Sequence, residues 1–248
     1  LQSATGGPFA QNEGTDAQTE AWLRVDEAFV LAALAAAPSP TPDPVSVETQ
    51  RLAQLGRVPP GVVAHLGVEP ANPRPDQIPA TIHLKRPYFM AIGTIEPRKN
   101  IGFLLDLWGE MDSKAPGLFI CGSRGWGCED VFGRLDAGVA NVTELAGLSD
   151  PALSALLSGA SALLFPSLAE GFGLPPVEAA ALGVPVIAND LPSLREILGN
   201  RAVYLDVSNP YSWIEAIKAH EQSPPERDSQ AFEPPAWEAH FKMVFTVT

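Results

Sequence analysis

From residue 87 onward the apolar and polar positions fall into two alternating rhythms. Strands are readable at 88–93, 117–122, 142–146, 162–165, 184–188 and 202–205, those at 162–165 and 184–188 as buried apolar runs bounded by glycine or proline. Between them apolar residues recur at helical spacing, which predicts helices at about 101–111, 129–135, 151–158, 177–182, 193–198 and 210–220. Strands that alternate with helices imply an α/β fold, a six-stranded parallel sheet covered on both faces and joined by right-handed crossovers. Such sheets bind ligands in the crevice beyond the carboxyl ends of their strands. A last segment, 237–247, has apolar residues at 237, 241, 244 and 245 and reads as an amphipathic helix after the proline-rich linker 223–235.

Residues 1–80 follow no such pattern. A helix is expected over about 17–36, with Trp22, Val25 and Phe29 at helical spacing, and a second over 45–55. No repeated strand-helix unit is visible, so this part is read as the remnant of a larger domain or as ordered pieces joined across gaps. The stretch PSPTPDP, 38–44, marks a break. The organisation expected is therefore 1–80 as a partially ordered N-terminal part and linker, 81–230 as a ligand-binding α/β domain, and 231–248 as a terminal helix.

Composition narrows the class. With 46% hydrophobic and 18% charged residues the chain is globular. Its net charge of -13 argues against a nucleic-acid or anionic-membrane surface, both of which need basic patches. The longest apolar run, AFVLAALAAA at 28–37, falls short of the roughly 20 residues that cross a bilayer. No signal peptide is visible, and Leu1 in place of Met places the native start upstream. Cys121 and Cys128 read as two reduced thiols of a cytoplasmic protein. His65, His83, His220 and His240 stand in no catalytic motif and read as structural or surface residues.

Candidate chemistry concentrates in FPSLAEGFGLPPVEAAALGVPVIAND, 165–190. Two glutamates, Glu170 and Glu178, flank a glycine-rich turn. Proline favours the first helical position and glycine the position past the last, so Pro175-Pro176 and Gly183 bracket a short helix with Glu178 in its first turn. Gly171 and Gly173 leave backbone N–H groups open to a ligand, and the positive end of the helix dipole points the same way. After the first strand comes GTIEPRKN, 93–100, where Asn100 is expected to cap the next helix and Arg98 and Lys99 to present two cations suited to a diphosphate. The loop GSRGWG, 122–127, lacks the dinucleotide-binding spacing, and a tight surface turn is at least as good a reading of it as a ligand contact. That missing fingerprint disfavours a nicotinamide oxidoreductase. There is no Walker motif, no nucleophile elbow and no Asp-x-Asp pair for a metal, so cations and helix ends are expected to neutralise any leaving group.

These residues resemble the family 4 retaining glycosyltransferases of GT-B architecture, in which two Rossmann-like domains face each other across a cleft. Glu170 and Glu178 match that family's paired glutamates with seven residues between them, and GTIEPRKN matches its donor-phosphate loop. CGSRGWG, LAGLSDPALSALLSGASALLFPS, LPSLREILGN and PAWEAHF fall in the order and spacing of the family, so that the match covers about 60–245. The variants present look most like bacterial mannosyltransferases of polysaccharide assembly.

The resemblance implies transfer of a sugar, mannose favoured, from a nucleotide-diphosphate sugar such as GDP-mannose to an acceptor hydroxyl with retained configuration and without metal or other cofactor. It assigns Arg98 and Lys99, with Gly93 beside them, to the donor diphosphate. Glu178 is assigned to the ribose, Glu170 to the hydroxyls of the transferred sugar, and the Gly171, Phe172, Gly173 and Leu174 backbone to sugar and phosphate. Leu145 is placed beside the base. Glu170, Arg98 and Lys99 are the catalytic group. The implied partners are the donor and a saccharide or lipid-linked saccharide acceptor. Integral membrane segments and nucleic acid are not expected; peripheral membrane contact would run through the N-terminal domain. That domain, which supplies the acceptor side of the cleft, is expected to be largely missing from this sequence, and 237–248 resembles the helix that crosses back to it. A non-catalytic nucleotide-sugar-binding or scaffolding module is the alternative.

Overall fold

The computed structural model describes residues 63–84, 87–111, 115–222 and 232–247. The helices expected at 17–36 and 45–55 and the break at 38–44 lie outside them. Six parallel strands form one sheet: β1 Tyr88–Ile92, β2 Gly117–Cys121, β3 Val142–Leu145, β4 Ala162–Phe165, β5 Val186–Asn189 and β6 Ala202–Leu205. Their spatial order is β3-β2-β1-β4-β5-β6. The helices are α1 Ile101–Met111, α2 Glu129–Ala137, α3 Asp150–Gly159, α4 Leu174–Ala181, α5 Pro192–Leu198, α6 Pro210–Gln222 and α7 Trp237–Val247. This is the doubly wound order, and it reverses direction between β1 and β4, the switch point beyond whose strand ends such sheets bind ligands.

The strand side chains sort the helices onto two faces. On β1, Phe89 and Ala91 point into a core with Leu104, Leu105 and Trp108 of α1, Val131 of α2 and Trp213 and Ile217 of α6. Tyr88 and Met90 point the other way, into a core with Leu156 and Leu157 of α3, Ala179 of α4 and Leu194 of α5. Period-2 alternation on a strand buried on both sides gives continuous apolar runs, which is why these strands read from sequence as runs. The two large core rings keep their polar atoms satisfied: Trp108 Nε1 donates to the Pro116 carbonyl at 2.8 Å, and Trp213 Nε1 to the Asp206 carbonyl at 3.2 Å.

A satellite cluster joins 63–71 and the chain end to this domain. Val68 packs with Val177, Ala180 and Leu198, and Phe172 and Phe232 lie against them. The Val68 N–H donates to the Pro235 carbonyl at 2.8 Å. Trp237 sits directly on Gly67, where a Cβ would come within 2.3 Å of the indole. Among the described residues no helix is long and apolar enough to cross a membrane.

Two local expectations are corrected. The helix expected over 177–182 is α4, Leu174–Ala181, so Glu178 is its fifth residue and lies beyond the first turn. Pro175 and Pro176 lack N–H groups, but first-turn N–H groups have no intrahelical partner, so both prolines fit inside that turn. Gly183, with φ 67°, does follow the helix as expected. Asn100 does not cap α1. Its backbone is left-handed (φ 54°, ψ 39°), closing the short 3-10 turn Pro97–Lys99, and its side-chain amide donates across to the Pro166 carbonyl at 3.3 Å. An N-cap needs extended backbone, and Asn is the residue that tolerates the left-handed well at lowest cost.

Candidate active site at the strand-order switch

Arg98 and Lys99 lie on the turn after β1, and Glu170 lies on the loop after β4. The topology therefore brings residues far apart in sequence to the two lips of the crevice. Lys99 Nζ donates to Glu170 Oε1 at 2.6 Å, and an Arg98 guanidinium nitrogen reaches the same oxygen at 2.7 Å. The other arm of Arg98 pairs with Glu96 at 2.7 Å. The Glu170 and Lys99 side chains are only 8% and 11% exposed, whereas that of Arg98 is 47% exposed, so water screens Arg98 far more. Lys99 also lies 4.9 Å above the Phe165 ring, a cation–π contact at the end of β4.

The backbone zips the same two loops together. The Leu168 N–H donates to the Arg98 carbonyl at 2.8 Å, Arg98 donates to the Ala169 carbonyl at 3.2 Å, and Ser193 Oγ of α5 donates to the Glu170 carbonyl at 2.8 Å. Gly93 (φ 139°) lies under the Lys99 stem; a Cβ there would stand 3.2 Å from Lys99 Cε. Gly93 thus positions Lys99.

The glycine-rich turn divides its labour. Gly173 has φ 84°, and a Cβ on it would come within 2.5 Å of Leu194, so the fold itself requires glycine there. Gly171 has nothing within 4 Å of the position its Cβ would take. Among the described residues the amide N–H groups of 171–174 donate to no partner, and with prolines at 175 and 176 they are the donors that the start of α4 has to offer.

Glu178 follows on α4, where the charge of Asp150 at the start of α3 acts on it. Burial raises its pKa above the ordinary carboxylate range, and the negative charge of Asp150 raises it further. Among the described residues its carboxylate has no hydrogen-bond or ion-pair partner. A half-buried carboxylate left unpaired in a crevice is the kind of group that a ligand satisfies. Leu145 ends β3, with its carbonyl accepting the Gly122 N–H at 2.9 Å.

The loop after β2 is a brace. Ile95 and Arg124 form a parallel bridge, with the Ile95 N–H on the Ser123 carbonyl at 2.9 Å and the Gly125 N–H on the Ile95 carbonyl at 3.1 Å. A Cβ on Gly122 would lie 2.0 Å from the Gly93 carbonyl oxygen. Arg124 is held by Glu144 and Asp136, at 2.7 and 2.6 Å. Sequence reasoning missed Glu96 and Ser193 as parts of the site; Glu96 stood inside the quoted motif, two residues before Arg98, while nothing local marked Ser193. The four histidines have structural partners, among them His65 with Glu196 at 3.0 Å and His240 with the Ala64 carbonyl at 3.1 Å. Both cysteines are free, and burial pushes the Cys121 thiol up to about 12. Among the described residues no three His, Cys, Asp or Glu side chains gather as a metal site would need.

Known proteins are similar to this chain in sequence and in fold. The chain is similar to the O-antigen chain mannosyltransferase RfbU of Salmonella typhimurium, with 36% identity over 144 residues that make up 56% of this chain and 40% of that protein. It is similar to the serotype-specific mannosyltransferase WbdA of Escherichia coli, with 33% identity over 168 residues, 62% of this chain and 20% of that one. The chain thus spans less than half the length of these relatives. The structure of the lipopolysaccharide outer core galactosyltransferase WaaB in its apo form overlays with a TM-score of 0.57 at 16% identity, over 82% of this chain and 61% of that one, a likeness of fold. The model for glycosyl transferases group 1 matches residues 74–231, more than half of the chain, and the chain belongs to that family.

Proposed function

We propose that this chain is the donor-binding part of a retaining glycosyltransferase, which moves a sugar from a nucleotide-diphosphate sugar to an acceptor hydroxyl in polysaccharide synthesis. The observation that carries this reading is the convergence of Arg98 and Lys99 with Glu170 across the strand-order switch. Cations at one lip and unpaired amide N–H groups at the other would hold the diphosphate. Glu178, half-buried and unpaired, would accept hydrogen bonds from the ribose, and Glu170 would meet the sugar hydroxyls. Mannose, carried by GDP, is the favoured sugar, supported by the mannosyltransferase relatives.

The chemistry required of these residues is electrostatic. As the glycosidic bond to the diphosphate breaks, negative charge grows on the leaving phosphate oxygens. Lys99, Arg98 and the start of α4 would meet that charge as it develops. The leaving phosphate would take the acceptor proton on the same face of the sugar, which retains the configuration. The acceptor side of the cleft would come from the N-terminal part of the protein, and the two free thiols support a reducing, cytoplasmic setting.

A thermal-shift screen of nucleoside diphosphates and their sugars against the intact chain tests the reading. Stabilisation by GDP-mannose or another nucleotide sugar, with none from NAD, is the expected result. A folded chain indifferent to every nucleotide sugar, or stabilised by NAD, contradicts it.

A further inference from the structure

We infer that Glu170 sets the preference of this site for a whole nucleotide sugar over the bare nucleoside diphosphate that transfer leaves behind. The inference rests on the donor-site reading above and adds a role for the ion pair itself. The two cations of the crevice are already matched by two carboxylates, since Arg98 pairs with Glu96 and with Glu170, and Lys99 pairs with the same Glu170 oxygen. A diphosphate entering this cluster meets no surplus positive charge. It must take Lys99 and Arg98 from Glu170.

Glu170 cannot retreat when that happens. Its carbonyl is held by Ser193, and the loop by the Leu168 N–H on the Arg98 carbonyl. Its side chain is 8% exposed, so the freed carboxylate stays beside the phosphates with little water to screen it. When a sugar is attached, its hydroxyls donate to that carboxylate and satisfy it. When the sugar has left, the carboxylate faces the diphosphate unpaired, and the repulsion favours release of the product. Glu170 therefore acts as a built-in competitor of the bare diphosphate and as a ligand of the sugar.

The test is calorimetric titration of the full chain with GDP, UDP, GDP-mannose, UDP-glucose and inorganic pyrophosphate, comparing wild type with Glu170→Gln and Glu96→Gln. Glutamine keeps the shape and can still accept from a hydroxyl, but it carries no charge. In Glu170→Gln the accepted nucleoside diphosphate and pyrophosphate bind roughly tenfold tighter, the size expected for relief of one partly buried charge pair. The matching nucleotide sugar binds no tighter, so the ratio between the two ligands collapses. Glu96→Gln frees Arg98 from its other carboxylate, so it tightens both ligands together. Melting curves establish that each variant is folded, and Glu170→Ala repeats the comparison if the glutamine variant is not. Unchanged nucleoside diphosphate affinity in Glu170→Gln, or an equal gain for both ligands, overturns the inference while wild-type donor binding leaves the site reading intact. Absence of all binding to folded wild type removes the site reading and the inference with it.

Discussion

At Gly171 and Gly173 the same residue type serves two different ends. Gly173 is demanded by the protein, through its φ of 84° and the nearness of Leu194, whereas nothing in the protein fills the space over Gly171, whose φ is not positive. Gly173→Ala is expected to destabilise the fold by about 1 to 3 kcal/mol in urea melts. Gly171→Ala should leave stability within about 0.5 kcal/mol. It should weaken nucleotide-sugar binding roughly tenfold or more in titrations, because its methyl occupies the approach path. Equal effects of the two variants on stability would refute this division.

Glu178 makes a pH-dependent prediction. Its folded pKa is raised above the ordinary 4.5, so the native state binds the proton more tightly than the unfolded chain does. The resulting penalty is absent below pH 4.5 and grows as pH rises through the raised value. Glu178→Gln should therefore raise the melting temperature at pH 7 and lose that advantage as pH approaches 4, while weakening nucleotide binding at pH 7. A stabilisation that is the same at both pH values would show that burial of the charge is not its cause.

At the scale of elements, the two loops that leave β1 and β2 work as one unit. The Ile95–Arg124 bridge and the glycines at 122 and 125 let the second loop press on the first, beneath the turn that carries Arg98 and Lys99. Gly122→Ala places a methyl 2.0 Å from the Gly93 carbonyl oxygen, a backbone atom that a rotamer change cannot move aside. It is expected to cost about 3 kcal/mol by chemical denaturation and to weaken pyrophosphate binding in whatever fraction remains folded. Retention of both stability and binding would rule out the brace.

The elements themselves were largely legible in the sequence. Apolar runs located the four inner strands, the edge strands β3 and β6 were legible although they are only partly buried, and α1 and α7 have the expected bounds, because strand burial and helical spacing are local signals. The start of α4 was misplaced by three residues because proline was read as a boundary marker, although a first turn accepts it anywhere its N–H would be unpaired. Asn100 was misread for a similar reason. The sequence shows that it precedes a helix, but not that its left-handed backbone closes the turn before that helix and sends the side chain to the next loop.

For the whole molecule, the paired glutamates and the Arg-Lys turn were visible as separate motifs, and the family resemblance joined them. What the residues alone could not give is their meeting point, because it depends on β1 lying beside β4, a pairing set by packing across the whole sheet. The same limit hid the neutral charge balance of the crevice, since Glu170 reaches Lys99 over 71 positions of chain. The donor-site reading rests first on that contact. The most direct measurement is therefore titration calorimetry of the nucleotide sugar that stabilises the chain, wild type against Lys99→Ala. Removal of Lys99 is expected to weaken binding tenfold to a hundredfold, about 1.5 to 3 kcal/mol for lost charge-assisted hydrogen bonds, in a chain that still melts cooperatively but at a lower temperature, because Glu170 loses one of its two cations. Equal affinity of a folded Lys99→Ala chain for that donor would contradict the account.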